Sequence, residues 1–142
     1  MGPKNTAISS DVHRDDILSL DISQDRKIIV TGQVGNTPSI HVWNSENCEQ
    51  IFSFELPAGS RGVESVSISP CGRYVACVDQ NNNHYVTIYN IQRQKQLLHM
   101  ESSKDAVMGI QWSKRANDLR FATWSSKEMN FWHPADVTKK LK

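Results

Sequence analysis

Apolar and polar residues alternate along this chain in short runs, and the runs recur. "SIHVWN" at Ser39–Asn44 returns as "VTIYN" at Val86–Asn90 and as "MNFWH" at Met129–His133. An apolar side chain on every second residue, closed by a large aromatic, marks a half-buried strand. Another run opens each unit: "ILSLDIS" from Ile17, "VESVSIS" from Val63 and "VMGIQWS" from Val107. Ile17, Val63 and Val107 correspond, then Leu20, Val66 and Ile110, then Ile22, Ile68 and Trp112. "IVTGQ", "VACVD" and "FATWS" come next, with Thr31, Cys77 and Thr123 at equal steps of 46 residues. Trp43, Tyr89 and Trp132 close the third run, and Asn44 and Asn90 follow the first two of these aromatics. Two units carry a fourth run, Glu49–Leu56 and Gln96–Ser102.

The pattern predicts units of four short strands, each about 45 residues long. Turn residues separate the runs. "SPCGR" at Ser69–Arg73 joins a first strand to a second, and "QVGNTP" and "QNNNH" join second to third with Gly and Asn. No stretch sustains the 3.6-residue apolar period of a helix, and Asp136–Lys142 is too short to judge.

Four-stranded units ending their third strand on an aromatic read as blades of a β-propeller. Each blade is then a small sheet, apolar on both faces, packed between two neighbours. The aromatic would fill the space between adjacent blades. The expected fold is all-β, a partial propeller with blades at 13–58 and 59–102 and an incomplete one at 103–142. Residues 1–12 form a lead-in, with the outer strand of a preceding blade as its alternative role. Closed propellers use about 4–8 blades, and only "PADVTKKLK" remains for the last fourth strand. Open blade faces and strand edges are aggregation hazards. The ring is therefore expected to be completed by the remainder of a longer chain or by another chain.

Charge and chemistry narrow the function classes. Sixteen basic residues face 15 acidic ones in 142, a net charge of +1. So even a balance implies neither nucleic acid nor a membrane surface as partner. Apolar runs are far shorter than a membrane span, and "MGPKNTAISS" has no signal-peptide core. Met-Gly with Thr at position 6 has the spacing of a myristoylation site, against which Pro3 counts. Cys48, Cys71 and Cys77 show no paired spacing and are expected to be reduced thiols in the cytoplasm.

No nucleophile elbow, phosphate loop or dinucleotide glycine motif occurs. Cys77 and His84 are the one imaginable nucleophilic pair, but Cys77 holds the strand slot of Thr31 and Thr123 and reads as a small core residue. Without CxxC or HxxxH spacing there is no metal site to predict. The expectation is a non-enzymatic chain with no cofactor. Surface loops then carry the function: Gln33–Pro38 with Gln33 and Asn36, Ala58–Gly62 with Arg61, and Gln80–His84 with Asn82 and His84. Lys139, Lys140 and Lys142 offer a basic tail, although such a cluster also suits an ordinary solvated segment.

The segment His13–Asn44 resembles a WD repeat. His13 precedes the first strand, Thr31 stands in the second, and Trp43-Asn44 ends the third. In that family the His, hydroxyl and Trp join an Asp in a buried hydrogen-bond network that stiffens the blade. Here the Asp position, six residues before the aromatic, holds Thr37, Asn83 and Ser126. Gly59 and Ser103 replace the His, and Cys77 the hydroxyl, in later units. The resemblance therefore implies a network incomplete in all three units.

"TGQ" before a loop ending in Pro, then Val-Trp, the later "RGV", and the Asp79–His84 turn resemble the echinoderm microtubule-associated-protein-like family in particular. The likeness spans Val12–His133. It implies a cytoskeletal, microtubule-associated scaffold in the cytoplasm, with the ciliary axoneme as a plausible setting and tubulin or other cytoskeletal proteins as partners. The rival expectation is a general interaction propeller, such as a ubiquitin-ligase substrate receptor or a signalling scaffold.

Overall fold

The computed structural model describes residues 13–133. The lead-in at 1–12, the myristoylation spacing, the last fourth strand and the lysine tail lie outside them.

Each first strand pairs with its second through a turn closed by serine. β1 (Ile17–Ile22), β2 (Ile28–Gln33), β3 (Ser39–Asn44) and β4 (Gln50–Glu55) form one antiparallel sheet in chain order. β5 (Val63–Ile68), β6 (Tyr74–Asp79), β7 (Tyr85–Asn90) and β8 (Lys95–Glu101) repeat it. β9 (Val107–Trp112), β10 (Phe121–Ser125) and β11 (Met129–Trp132) make a three-stranded third sheet. Ser23, Ser69 and Ser113 stand just past β1, β5 and β9. Ser23 Oγ accepts the Ile28 N–H at 3.0 Å, and Ser69 Oγ accepts the Tyr74 N–H at 3.1 Å. These hydroxyls satisfy strand ends that water would otherwise serve. Bulges recur near the start of β1 and of β5 and where β4 and β8 leave β3 and β7.

Directly paired residues share a face, so the ladders define the packing. The face of the first sheet carrying Val30, Ile40, Val42 and Phe54 meets Val63, Val66, Val75, Cys77 and Tyr89 of the second. The opposite face of the second sheet, with Ala76, Val78, Val86 and Ile88, meets Val107, Ile110, Trp112 and Phe121 of the third. Each such aliphatic side chain, fully buried, contributes about 1.5–3 kcal/mol of transfer free energy. β1, β5 and β9 are the inner strands, and their side chains bond across the junctions. Ser65 Oγ accepts the Ile110 N–H at 3.3 Å, and Ser67 Oγ accepts the Trp112 N–H at 3.0 Å.

One expectation about these faces needs correction. Tyr89 fills an inter-blade space, its ring 4.4 Å from Phe54. Trp43, at the same step of the repeat, lies on the equivalent face of its own sheet, turned away from the second sheet, and packs on His13 and His41, at 5.8 and 5.9 Å. That face is not apolar. Thr31, Ser39 and His41 are buried on it because each side chain has a hydrogen-bond partner.

Candidate partner-binding rim

The network that the pattern leaves incomplete is closed in the first blade by a different acceptor. Gln33 Nε2 donates to the Thr37 carbonyl at 3.1 Å, which turns its oxygen toward His13 Nδ1 at 2.8 Å. His13 Nδ1 is thus the protonated nitrogen. Trp43 Nε1 donates to Thr31 Oγ1 at 2.9 Å, and that hydroxyl donates its own proton to His13 Nε2 at 2.7 Å. His13, Thr31, Gln33 and Trp43 form one buried chain in which an amide oxygen does the work of the missing carboxylate. Gln33 is buried and fully engaged, so it is a blade residue and not a partner-binding one.

The second blade places a carboxylate at the equivalent step, at the end of β6 and not in the following turn. Asp79, only 1% exposed, accepts from Ser60 Oγ at 2.6 Å, from Tyr85 N at 3.0 Å and from Asn81 N at 3.2 Å. In the third blade Trp132 Nε1 donates to Thr123 Oγ1 at 3.0 Å, and Thr123 meets Ser102 Oγ at 3.3 Å. The expectation of an incomplete network therefore fails in the first blade, where Gln33, the last residue of β2, supplies the acceptor.

These buried groups hold the loops at one end of the arc. Val34 bridges to Gly62, and Gly35 N donates to the Arg61 carbonyl at 3.1 Å. Gln80 N donates to the Gly62 carbonyl at 2.9 Å, and Asn81 Nδ2 to the Gly59 carbonyl at 3.3 Å. The loops 34–38, 57–62 and 80–84 thus form a continuous hydrogen-bonded rim. Gly35 has φ 114° and lies against Asp15, whose carboxylate would meet any Cβ there. His84 takes φ 47°, and its N–H bonds the Asn81 carbonyl at 2.9 Å. Asn36, Arg61 and Asn82 point outward and are exposed, while His84 is half-buried. So the structure gathers Asn36, Arg61, Asn82 and His84 at one end of the sheets. Asn44 and Asn90 sit at the opposite end, where Asn44 Oδ1 accepts the Glu46 N–H and Asn90 Oδ1 the Arg93 N–H, at 2.8 and 2.9 Å.

What the rim offers is donors and acceptors on a stiff frame. Cys77 lies in the core, and burial, then the Asp79 charge, push its thiol far up, so it stays protonated. Among the described residues no three His, Cys, Asp or Glu side chains form a metal-holding cluster. No described helix is long and apolar enough to cross a membrane.

Two four-stranded antiparallel sheets and one of three strands, packed face to face around inner strands, with a His–Thr–Trp chain inside the first, define an open arc of WD-repeat propeller blades. Solved structures agree on the fold. The RRP9 WD40 repeats superpose with a TM-score of 0.72 at 22% identity, over 88% of this chain and 37% of theirs. U3-55K gives a TM-score of 0.72 at 22% identity, over 88% and 38%.

In sequence the chain resembles the echinoderm microtubule-associated-protein-like family and ciliary WD-repeat proteins. It is 31% identical over 131 residues to the ciliary WD repeat-containing protein ctxp80 of Euplotoides octocarinatus, covering 92% of this chain and 18% of that protein. It is 29% identical over 129 residues to the 77 kDa echinoderm microtubule-associated protein of Strongylocentrotus purpuratus, covering 85% and 19%. The chain thus spans under a fifth of the length of either relative. No family model matches it.

Proposed function

We propose that this chain is a stiff wall of a non-enzymatic, microtubule-associated scaffold of the cytoskeleton, with the ciliary axoneme as its setting. The rim carries the reading: three loops are tied to one another and to buried Asp79 and Gln33, so the backbone that carries Asn36, Arg61, Asn82 and His84 is ordered before a partner arrives. Loops already ordered lose little backbone entropy on binding. Support for the class of partner comes from the relatives, one named as ciliary and another as microtubule-associated. Arg61 suits an acidic partner such as the tubulin surface. The remaining blades of the ring come from the rest of a longer chain or from another chain.

The experiment is co-sedimentation with stabilised microtubules, comparing the chain with its R61E and N82A variants. We expect the chain to pellet with microtubules, R61E to pellet several-fold less, and salt to weaken both. A chain that stays in the supernatant at low salt would sink the microtubule reading and leave a propeller scaffold for some other protein.

A further inference from the structure

The net charge of +1 conceals a segregation of charge between the two ends of the sheets. At the rim the cations have acidic neighbours in sequence: Arg14 precedes Asp15 and Asp16, Lys104 precedes Asp105, and Lys127 precedes Glu128. The turns at the opposite end read differently. The turn after β1 exposes Arg26 and Lys27, the second blade exposes Arg73, Arg93 and Lys95, and the turn after β9 exposes Lys114, Arg115 and Arg120. Asp25 and Asp118 are the acids within the first and third of these turns, and each is engaged locally. Asp25 accepts from Ser23 Oγ at 2.6 Å and from Lys27 N at 3.0 Å. Asp118 is paired with Arg120 at 2.8 Å. Among the described residues no other ion pair neutralises a cation at this end.

Hydrogen bonds hold these turns as one ordered floor. Gln24 Nε2 donates to the Lys114 carbonyl at 3.1 Å, joining the first blade to the third. Ser45 N donates to the Lys27 carbonyl at 3.0 Å, and Ile91 N to the Arg73 carbonyl at 2.8 Å, joining inner turns to outer ones. Between the inner turns lies a hollow of about 260 Å³, lined in part by Asp21, Gln24, Pro70, Gln111 and Lys114. Asp21 already has both carboxylate oxygens taken, by the Ile22 and Ile68 N–H groups. Cations carried on one ordered frame sum their fields, which favours an anionic partner.

We infer that this end binds an acidic polypeptide segment, rich in Asp or Glu, laid across the turns of the second and third blades. The observations favour polypeptide over other polyanions. Glu46 and Glu49 are exposed in the first blade's outer turn and end the basic surface there. A polynucleotide carries a charge at every residue and would be repelled at that edge; a polypeptide can place a neutral or basic residue over it. The described turns of this end expose no aromatic ring to stack a base and no large apolar side chain to enter a membrane. The hollow beside Lys114 seats one side chain of the segment. This surface lies at the other end of the strands from the rim, and its partner does not depend on what the rim holds.

Fluorescence anisotropy of a labelled oligoglutamate peptide, titrated with the chain, is the test. Binding should saturate at low salt and weaken as salt rises. R93E/K95E reverses two exposed charges of the second blade and should weaken binding about fivefold or more, while R61E at the rim leaves it unchanged. E46K/E49K extends the basic surface and should tighten binding, a gain that no loss of structure can imitate. Circular dichroism confirms that each variant is folded. A folded chain that does not bind the peptide at low salt would overturn the inference, and so would R93E/K95E binding as well as the parent. It is equally overturned if R61E weakens binding as much as R93E/K95E, or if K139E/K140E alone abolishes it. Tighter binding of oligothymidylate or of phosphatidylserine vesicles, lost in R93E/K95E, would assign the surface to a different polyanion and overturn it too. Microtubule co-sedimentation of R61E reads the rim separately, so the two readings fail independently.

Discussion

Asp21 ties two blades with one carboxylate: Oδ1 accepts the N–H of Ile22 on its own strand, and Oδ2 accepts the N–H of Ile68 on the next inner strand, both at 2.8 Å. Ser67, one repeat later, holds Trp112 N in the same way at 3.0 Å. The first junction therefore has a charge-assisted tie where the second has a neutral one. Replacing Asp21 by Ala leaves two strand N–H groups without these partners, and bonds to a charged group are worth about 1.5–3 kcal/mol each. Since solvent reaches Asp21, water recovers part of this, and D21A should lose about 1–2 kcal/mol. Urea unfolding should show a lower midpoint with an unchanged slope. D21S, copying Ser67, should recover much of the difference.

Thr31 is the pivot of the first blade, accepting from Trp43 Nε1 and donating to His13 Nε2. T31V keeps the shape and leaves a buried donor and a buried acceptor unpaired. At about 1–3 kcal/mol for each orphaned group, the loss should be about 2–6 kcal/mol. T31S should stay within about 1 kcal/mol of the parent because the hydroxyl survives. Equal stability of T31V and T31S would mean the chain of bonds contributes nothing.

His41 makes the blade sensitive to acid. Its Nδ1 donates to Gln50 Oε1 at 2.9 Å, and its Nε2 meets the Ser39 hydroxyl at 2.8 Å. A neutral ring suits both partners. Burial first, and the His13 ring 4.1 Å away, hold its pKa below the ordinary value of 6.5. The folded state then binds fewer protons than the unfolded one, so stability rises with pH across this range. The contribution is fully present above about pH 6.5 and is lost as pH falls through the lowered value. Thermal unfolding from pH 7.5 down to pH 5 should show a falling Tm. H41N should flatten that dependence, and an unflattened profile would remove His41 as its source.

The repeat and the strand pattern were legible because alternation and turn chemistry are local. Ser39–Asn44 is a strand to the residue, and Val86–Asn90 gains only Tyr85. The acceptors of the blade networks were less legible. The family pattern seeks an aspartate in the turn, at Thr37 or Asn83, whereas Gln33 and Asp79 hold it at the strand end, 46 residues apart. Aligning the units at that step exposes both, but only geometry shows that an amide oxygen can replace a carboxylate. The rim residues Asn36, Arg61 and Asn82 were legible as loop residues. Their ties meet the backbone of Gly35, Gly59 and Gly62, which the sequence does not distinguish, and one of them is donated by the Asn81 side-chain amide.

Gly32 offers the last test, of how closely two blades approach. It has no unusual backbone angle, so its glycine answers to space alone: Val63 Cγ1 occupies the room a Cβ would need, 2.4 Å away, and Ser19 Oγ lies 2.7 Å from the same point. G32A should force the first and second sheets apart and cost about 1–3 kcal/mol, as overpacking does. V63A removes the obstacle but opens a space in a fully buried site, and should itself cost about 2–3 kcal/mol. If the two side chains compete for one volume, the double variant G32A/V63A should be more stable than the sum of the single losses predicts. Chemical denaturation of the four chains gives the coupling directly. Strict additivity would mean that Gly32 and Val63 do not share the junction, and that a methyl group at position 32 finds room elsewhere.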